Sequence, residues 1–178
     1  MSLVVIVMGV SGSGKSTLAA ALARELDFTF LEGDSFHSEE NRRKMSAGSA
    51  LEDADRWPWL DALSAAIVTT RVATRGAARP EKGVVATCSA LKRTYRDRIR
   101  SAVEPPLLFV YLSVGRETLE RRMRSRHGHF MPAALLDSQL NTLEVPASDE
   151  SDAITIAVGN VEETLSHVVR AIAALNSG

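Results

Sequence analysis

The feature that most constrains this chain is a glycine-rich segment, GVSGSGKST, which runs from Gly9 to Thr17. It fits the pattern G-x-x-x-x-G-K-[S/T] without a mismatch. The apolar run before it and the helical pattern after it supply the strand and helix that this motif requires. Backbone N–H groups of such a loop, together with the N-terminus of the following helix, form a concave anion site. The segment therefore predicts a nucleoside triphosphate site, against the alternative of a glycine-rich turn with an exposed lysine.

The residue types in this segment suggest a role for each member. Lys15 would bring a positive charge to the outer phosphates, and the Ser16 hydroxyl would ligate Mg²⁺. The expected nucleotide-binding residues are Gly9, Ser11, Gly12, Ser13, Gly14, Lys15, Ser16 and Thr17.

Short apolar strands alternate with helical patterns along the chain. Strands are predicted near 3–8, 28–31, 84–87, 107–112 and 154–158. Helices are predicted over 15–26, 39–47, 57–72, 93–102, 117–126, 133–143 and about 161–175. This alternation is typical of a parallel sheet covered by helices on both faces. With 178 residues, the chain has the length of one such domain, and we expect a single domain over residues 1–178.

Composition narrows the class of partner. The 21 basic and 22 acidic side chains nearly balance, so nothing favours nucleic acid as the main partner. No apolar run approaches the roughly 20 residues that cross a bilayer, and the first residues carry no export signal. Cys88 is the only cysteine, and we expect it to be a buried small side chain in a cytoplasmic protein.

A second motif, GDSFH, follows the second predicted strand. Asp34 would lie at the carboxyl end of that strand, at the sheet edge that also carries the glycine-rich loop. There its carboxylate would accept the proton of a substrate hydroxyl and orient that hydroxyl toward the γ-phosphate. The alternative is a turn or helix-cap residue. His37 is expected either to donate to substrate or to be a satisfied loop histidine.

Four segments together resemble the gluconate kinases (gluconokinases) of the P-loop kinase superfamily: GVSGSGKST, GDSFHSEENRRKMSAGSALEDADRWPWL, CSALKRTYRDRIR and RHGHFMPAALLDSQLNTLE. The resemblance covers nearly the whole chain in matching order. It implies transfer of the ATP γ-phosphate to the 6-hydroxyl of D-gluconate. It also implies an α/β nucleoside-kinase-like sheet with strand order 2-3-1-4-5, a mobile lid over about 122–131, and a homodimer. A kinase for another small hydroxy acid, such as shikimate, and a P-loop module that uses ATP as a switch remain alternatives.

Gluconate is a linear polyol with a carboxylate, so its site needs cations and several polar groups. Arg56 directly precedes two tryptophans that would hold its guanidinium in place, and bidentate pairing with a carboxylate suits that group. The expected substrate-binding residues are Asp34, His37, Lys44, Arg56, Ser89, Lys92, His129 and Gln139.

Two arginines of the lid segment complete the expected site. Arg122 and Arg126 are four residues apart, on one face of a helix, and the resemblance places an arginine at each position. They would bring positive charge to the transferred phosphate on closure; the alternative is a merely basic helix end. The expected catalytic residues are Lys15, Asp34, Arg122 and Arg126. Asp34 is also a second candidate metal residue beside Ser16, and Asn160 is expected to contact adenine through its backbone.

Overall fold

The computed structural model describes residues 2–73, 82–125 and 133–175. Within these ranges the chain forms five β-strands, seven α-helices and one short 3₁₀ helix, Gly33–Phe36. The strands are β1 Val4–Met8, β2 Thr29–Leu31, β3 Val84–Cys88, β4 Leu107–Ser113 and β5 Ala153–Ala157. The helices are α1 Lys15–Glu25, α2 Glu39–Ser46, α3 Asp53–Ala73, α4 Arg93–Ala102, α5 Arg116–Arg124, α6 Ala133–Thr142 and α7 Val161–Leu175.

The five strands form one parallel sheet in the order β2-β3-β1-β4-β5, which confirms the predicted fold. The central strand, β1, pairs with β3 on one side and β4 on the other. Every residue of β1 and β3 is buried, as expected for apolar strands that have helices on both faces. The outer strands, β2 and β5, are only partly buried.

Helices cover both faces of this sheet. Alternate residues of the strands pack in two different apolar clusters, one on each face. Ile6 of β1 packs in a cluster with Trp59 and Leu60 of α3. Val7, the next residue of β1, packs in a second cluster with Leu22 of α1, and α7 joins on the same side. The result is the layered architecture that the alternation of strands and helices predicts.

Helix α3 differs most from its prediction, since it begins at Asp53 rather than at residue 57. Pro58 lies inside the helix near its N-terminal end, and the helix forgoes one backbone hydrogen bond there. Asp53 and Asp55 lie in the first turn, where their negative charges stabilise the positive end of the helix dipole. No helix in the described ranges, α3 included, is long and apolar enough to span a membrane.

The carboxyl ends of parallel strands lie along one edge of the sheet. At this edge β1 leads into the glycine-rich segment, β2 leads into the 3₁₀ helix that contains Asp34, and β3 leads into Ser89. This is the edge at which open α/β sheets bind ligands. The predicted functional residues on these three connections are thereby brought to the same side of the molecule.

Candidate active site

The glycine-rich segment, called the phosphate loop below (Gly9–Thr17), turns between β1 and α1. Gly12 and Gly14 have φ angles of 80° and 99°, a left-handed conformation that residues with a Cβ rarely adopt. Gly14 is also the N-cap of α1, so the N–H groups of the first helical turn, which have no acceptor within the helix itself, open onto the loop. This geometry is suited to binding an anion.

Lys15, Ser16 and Thr17 occupy the first turn of α1. The Lys15 Nζ donates to the Val10 carbonyl oxygen at 3.1 Å, and this bond keeps the ammonium beside the loop. Ser16 and Thr17 are exposed, so their hydroxyls are accessible to a ligand. These positions suit the predicted roles in binding phosphate and metal.

A cavity of about 330 Å³ lies next to the phosphate loop. Ser13 and Gly14 line it from the loop, Arg122 from α5, and Val158 and Val161 from the region where β5 connects to α7. The loop and the predicted adenine position therefore share one cavity. Its polar end suits phosphates, and its apolar end suits a flat base.

Arg122 already lies against the phosphate loop in this structure. Its Nη1 atom donates to the carbonyl oxygens of Gly12 and Ser13, at 3.3 and 3.2 Å. This places one predicted catalytic arginine at the nucleotide cavity. The other predicted lid residues, Arg126 and His129, lie outside the described residues.

Asn160 has a structural contact that the sequence analysis did not anticipate. Its side-chain oxygen accepts the N–H of Glu163 at 2.9 Å, an N-cap interaction at the start of α7. Its carbonyl oxygen accepts from Thr164. Asn160 is not among the residues that line the cavity, although its neighbours Gly159 and Val161 are. The contact between its backbone and adenine stays a prediction.

Gln139 contacts the phosphate loop directly. Its Oε1 accepts the Ser11 N–H at 2.7 Å, and its Nε2 donates to Ser11 Oγ at 3.1 Å. The sequence analysis assigned this side chain to the hydroxyls of the substrate. The structure instead engages both ends of its amide with the loop, because α6 packs beside the loop.

Asp34 follows a rigid connection between β2 and the 3₁₀ helix. The Gly33 N–H donates to Thr87 Oγ1 at 2.9 Å, and the Thr87 hydroxyl donates to the Glu32 carboxylate. On the other side, Trp59 Nε1 donates to the Gly33 carbonyl oxygen at 2.7 Å. The carboxylate of Asp34 is exposed beyond this fixed point, so it is accessible to a substrate.

His37 is buried next to Asp34, with 6% of its surface exposed. Its ring stacks on Trp59 with the centroids 4.2 Å apart. Burial lowers the pKa of His37 to about 4, and the positive charges of Arg56 and Arg42 act in the same direction while Asp34 opposes them. The imidazole is therefore neutral near neutral pH. Its Nδ1 atom is buried and has no hydrogen-bond partner among the described residues.

Two lysines predicted to bind substrate are paired with aspartates of α3. Lys44 Nζ lies 2.6 Å from Asp55 Oδ1, and Lys92 Nζ lies 2.7 and 2.8 Å from the two oxygens of Asp53. Tyr95 also donates to Asp53, at 2.5 Å. The bond to Lys92, followed by that from Tyr95, lowers the pKa of Asp53, and the bond to Lys44 lowers the pKa of Asp55.

Arg56 lies on α3 between these two ion pairs. Only 8% of its surface is exposed, and its guanidinium carbon lies 5.6 Å from the centroid of the Tyr95 ring. Its Nε atom has no hydrogen-bond partner within the described part of the chain. A buried cation with an unused donor is costly unless a ligand compensates it, so this residue is a strong candidate to bind an anion.

Strand β3 lies between β1 and β2, so its end separates the phosphate loop from the connection that carries Asp34. Cys88 is fully buried there, and burial raises the pKa of its thiol to about 12, while the charges of Lys15, Asp34 and Arg56 also act on it. The thiol is therefore protonated and unreactive, in agreement with the sequence analysis. Next to it, the Ser89 carbonyl oxygen accepts the Gly9 N–H at 3.3 Å, which joins the β3 end to the phosphate loop.

A buried ion pair holds the segment that follows β3 in place. Arg96 and Glu150 each have 1% of their side chains exposed, and they form two parallel hydrogen bonds of 2.7 and 2.6 Å. Arg96 Nη1 also donates to the Ala90 carbonyl oxygen at 3.1 Å. Because both charges are paired and hydrogen-bonded, the arrangement stiffens the backbone that carries Ser89.

The sequence analysis missed several residues that hold this site together. The pairing of Asp53 and Asp55 with lysines could have been suspected, since both acids lie close to the start of a helix and lysines occur nearby in the sequence. Glu32 precedes the Gly-Asp pair directly, but nothing local indicates that it binds Thr87. The contact of Arg96 with Glu150 spans 54 residues, and a single sequence gives no sign of it.

Comparison with known proteins identifies the family. A family profile described as an AAA domain matches residues 4–146. A probable gluconokinase from Schizosaccharomyces pombe is 47% identical over 163 residues, which cover 90% of this chain and 82% of that protein. A gluconokinase from Gluconobacter oxydans is 48% identical over 145 residues, which cover 82% of this chain and 77% of that protein.

A solved structure agrees with these relatives. The crystal structure of a gluconokinase from Sinorhizobium meliloti is 43% identical and matches with a TM-score of 0.82, over 96% of this chain and 91% of that chain. Sequence and structure thus match over most of each protein. On this evidence the chain belongs to the gluconokinase family.

Proposed function

We propose that this chain transfers the γ-phosphate of ATP to the 6-hydroxyl of D-gluconate, giving 6-phospho-D-gluconate and ADP. One observation carries the proposal: the end of β3 is hydrogen-bonded to both halves of the site. The Ser89 carbonyl oxygen accepts the N–H of Gly9 in the phosphate loop at 3.3 Å, and Thr87 Oγ1 accepts the N–H of Gly33, the neighbour of Asp34, at 2.9 Å. A donor-phosphate site and an acceptor site thus adjoin at one sheet edge, as group transfer requires. Family membership supports gluconate as the acceptor.

The nucleotide end of the site is built from the phosphate loop and its cavity. The loop N–H groups and Lys15 would bind the phosphates, and the base would lie against Val158 and Val161, which line the far end of the cavity. Arg122, bonded to two loop carbonyls, lies where its charge stabilises the transferred group. Arg126 is proposed for a related role on the basis of the family resemblance alone.

The acceptor end offers one cation for a carboxylate and several polar groups for hydroxyls. Arg56 would bind the gluconate carboxylate, since its buried Nε lacks a partner in the ranges that the structure describes. The ion pairs of Lys44 and Lys92 present donors and acceptors together, which suits hydroxyl groups. Neutral His37 would bind a substrate hydroxyl, as the sequence analysis predicts. Roles for Ser89 and His129 in substrate binding rest on the sequence analysis.

Asp34 would orient the 6-hydroxyl and take its proton. As the hydroxyl oxygen bonds to the γ-phosphorus, the bond from that phosphorus to the bridging oxygen of ADP breaks, and the proton passes to the Asp34 carboxylate. The exposed position of this carboxylate beyond the fixed Gly33 gives the substrate access to it. Positioning and charge stabilisation supply the rest of the rate enhancement.

Mg²⁺ is proposed as the metal that accompanies ATP. The exposed Ser16 hydroxyl and Asp34 carboxylate are oxygen ligands of the kind this cation prefers, and it commonly takes only one or two ligands from protein beside phosphates and water. The residues present therefore fit a magnesium ion. When bound, the ion neutralises negative charge on the phosphates.

Two further features are proposed from the family resemblance. We infer that the protein acts in the cytoplasm, which agrees with a single buried cysteine, and that it forms a homodimer. Light scattering after gel filtration measures the mass in solution. A measured mass equal to that of a single chain would contradict the proposed homodimer.

A coupled ADP-release assay across small hydroxy acids tests the function. The panel contains D-gluconate, shikimate, other sugar acids and a reaction without acceptor. We expect fast, acceptor-dependent ADP release with gluconate, and a phosphate ester at carbon 6 by NMR of the product. Preference for shikimate would identify a different hydroxy-acid kinase. ADP release that no acceptor accelerates would instead indicate an ATP-dependent switch.

A further inference from the structure

Gln139 binds one residue of the phosphate loop through both ends of its amide. Its Oε1 lies 2.7 Å from the Ser11 nitrogen, and its Nε2 lies 3.1 Å from Ser11 Oγ. We propose that Gln139 is a positioning residue that holds the phosphate loop in its nucleotide-binding conformation. This role replaces the contact with substrate hydroxyls that the sequence alone indicated.

The loop needs such a restraint because it is rich in glycine. Glycine has more backbone freedom than any other residue, and fixing it costs conformational entropy. Neighbouring positions are already held: Ser89 accepts from the Gly9 N–H, and Arg122 donates to the carbonyls of Gly12 and Ser13. Within the described residues, Gln139 supplies the only hydrogen bonds to Ser11. Its loss therefore frees the middle of the loop.

The position of Gln139 is itself well fixed. Leu135 and Leu136, on the same helix, are 5% and 2% exposed, so α6 is anchored in the apolar core. The two hydrogen bonds use both polar groups of the side chain, and both are half-buried. Both polar groups of the Gln139 amide therefore contact Ser11, which orients the side chain toward the phosphate loop.

Preorganisation predicts a particular pattern of kinetic change. When Gln139 is replaced, the nucleotide must order the loop as it binds. This ordering reduces the net free energy of binding, so ATP affinity falls. Gluconate binds to the other side of the site, and its KM should stay the same. A direct contact with the substrate hydroxyls would give the opposite pattern.

The test compares Gln139→Met with a matched control, Asn141→Met. Methionine keeps the length of Gln139 and removes both hydrogen bonds. The control makes the same kind of change at an exposed position of α6. Three quantities are measured on each full-length protein: the calorimetric Kd for MgATP, the KM for gluconate, and hydrogen exchange of the peptide that spans the phosphate loop.

For Gln139→Met we expect the Kd for MgATP to rise about tenfold, equivalent to about 1.4 kcal/mol, with faster exchange in the loop. The KM for gluconate stays within about twofold, and Asn141→Met behaves as wild type. A raised gluconate KM with unchanged ATP affinity would overturn the proposal, as would unchanged values of both. Should Gln139→Met fail to fold, Gln139→Asn, which keeps the amide but is too short to reach Ser11, takes its place with the same expected results.

This inference rests on the proposed function only for the gluconate arm. If wild-type protein shows no turnover with gluconate, the proposed function fails. The ATP affinity and the hydrogen exchange still test the role of Gln139, because neither measurement needs an acceptor.

Discussion

The backbone of Gly33 lies directly against that of Thr87: a Cβ atom placed on Gly33 would be 1.8 Å from the Thr87 carbonyl oxygen. The same two residues are joined by the hydrogen bond from Gly33 N–H to Thr87 Oγ1 at 2.9 Å. Because both partners are held by neighbouring strands, neither can move away cheaply. Glycine at this position is therefore a steric requirement, and it determines where Asp34 leaves the sheet.

Gly33→Ala should displace this connection. We expect a loss of about 3 kcal/mol in the free energy of unfolding, as for an overpacked core position, and a lower kcat because Asp34 moves with the backbone. Urea unfolding and the coupled assay measure the two effects. The control is Gly115→Ala, where an added Cβ meets nothing within 4 Å. If both variants were equally stable, the close contact of Gly33 would not govern the position of Asp34.

Arg56→Lys should weaken gluconate binding selectively. Lysine keeps the positive charge but cannot form two parallel hydrogen bonds with a carboxylate, so we expect the KM for gluconate to rise about tenfold or more, with ATP affinity unchanged. Steady-state kinetics with each substrate varied in turn provides the measurement. Arg98 offers a matched control, since it also lies over an aromatic ring, 5.2 Å from the centroid of Trp57. A gluconate KM equal to that of Arg98→Lys would exclude Arg56 from the carboxylate site.

Much of this molecule could be anticipated from local sequence patterns. The phosphate loop has a motif whose spacing reflects backbone geometry, and the apolar runs marked each strand to within two residues. Asp34 was predicted at the ligand-binding edge because it closely follows a strand of the parallel sheet. In each case the physical constraint acts between residues that are close in the chain.

What could not be anticipated depends on contacts between distant segments. The sequence analysis predicted that Gln139 contacts substrate, but it could not indicate the bond to Ser11, which lies 128 residues away. The pairing of Lys92 with Asp53 depends on how α3 and α4 pack together, which no local pattern encodes. The start of α3 at Asp53, four residues before the predicted start, was not anticipated either.

His37 should make the protein less stable in mild acid. Its pKa is lowered from 6.5 to about 4 in the folded state, chiefly by burial. The charge of Asp34 acts to raise the pKa, and the charges of Arg56 and Arg42 act to lower it. Between these two pH values the unfolded chain binds a proton at this histidine and the folded protein does not, so stability falls as pH falls. Above pH 6.5 the histidine does not change the stability, and below about pH 4 the full loss of stability that it causes has been reached.

His37→Gln removes this penalty. Relative to wild type, we expect the variant to lose about 2 kcal/mol less stability between about pH 7 and about pH 5, whatever its absolute stability at neutral pH. Urea unfolding at the two pH values gives the difference. His167→Gln, at an exposed position of α7, is the matched control and should follow the wild-type curve. Parallel curves for wild type and His37→Gln would show that His37 is not buried in its neutral form.

Asp34→Asn should abolish most phosphoryl transfer while MgATP still binds. Asparagine keeps the size and one acceptor oxygen of the side chain, but it cannot take a proton from the 6-hydroxyl. Loss of a positioned base typically costs on the order of 10²–10⁴ in rate. The substitution also removes a charge near the proposed magnesium site, so we expect MgATP affinity to stay within about tenfold of wild type, or about 1.4 kcal/mol. Calorimetry measures the affinity, and the coupled assay measures kcat.

The control for Asp34→Asn is Asp27→Asn, which neutralises an exposed carboxylate paired with Lys82 at the opposite end of β2. It should leave both kcat and MgATP affinity as in wild type. If Asp34→Asn kept its kcat as well as its affinity, Asp34 would be only a turn residue after β2. The transfer would then depend on Lys15 and Arg122 for charge stabilisation and would need no base, since phosphoryl transfer relies chiefly on positioning and electrostatics.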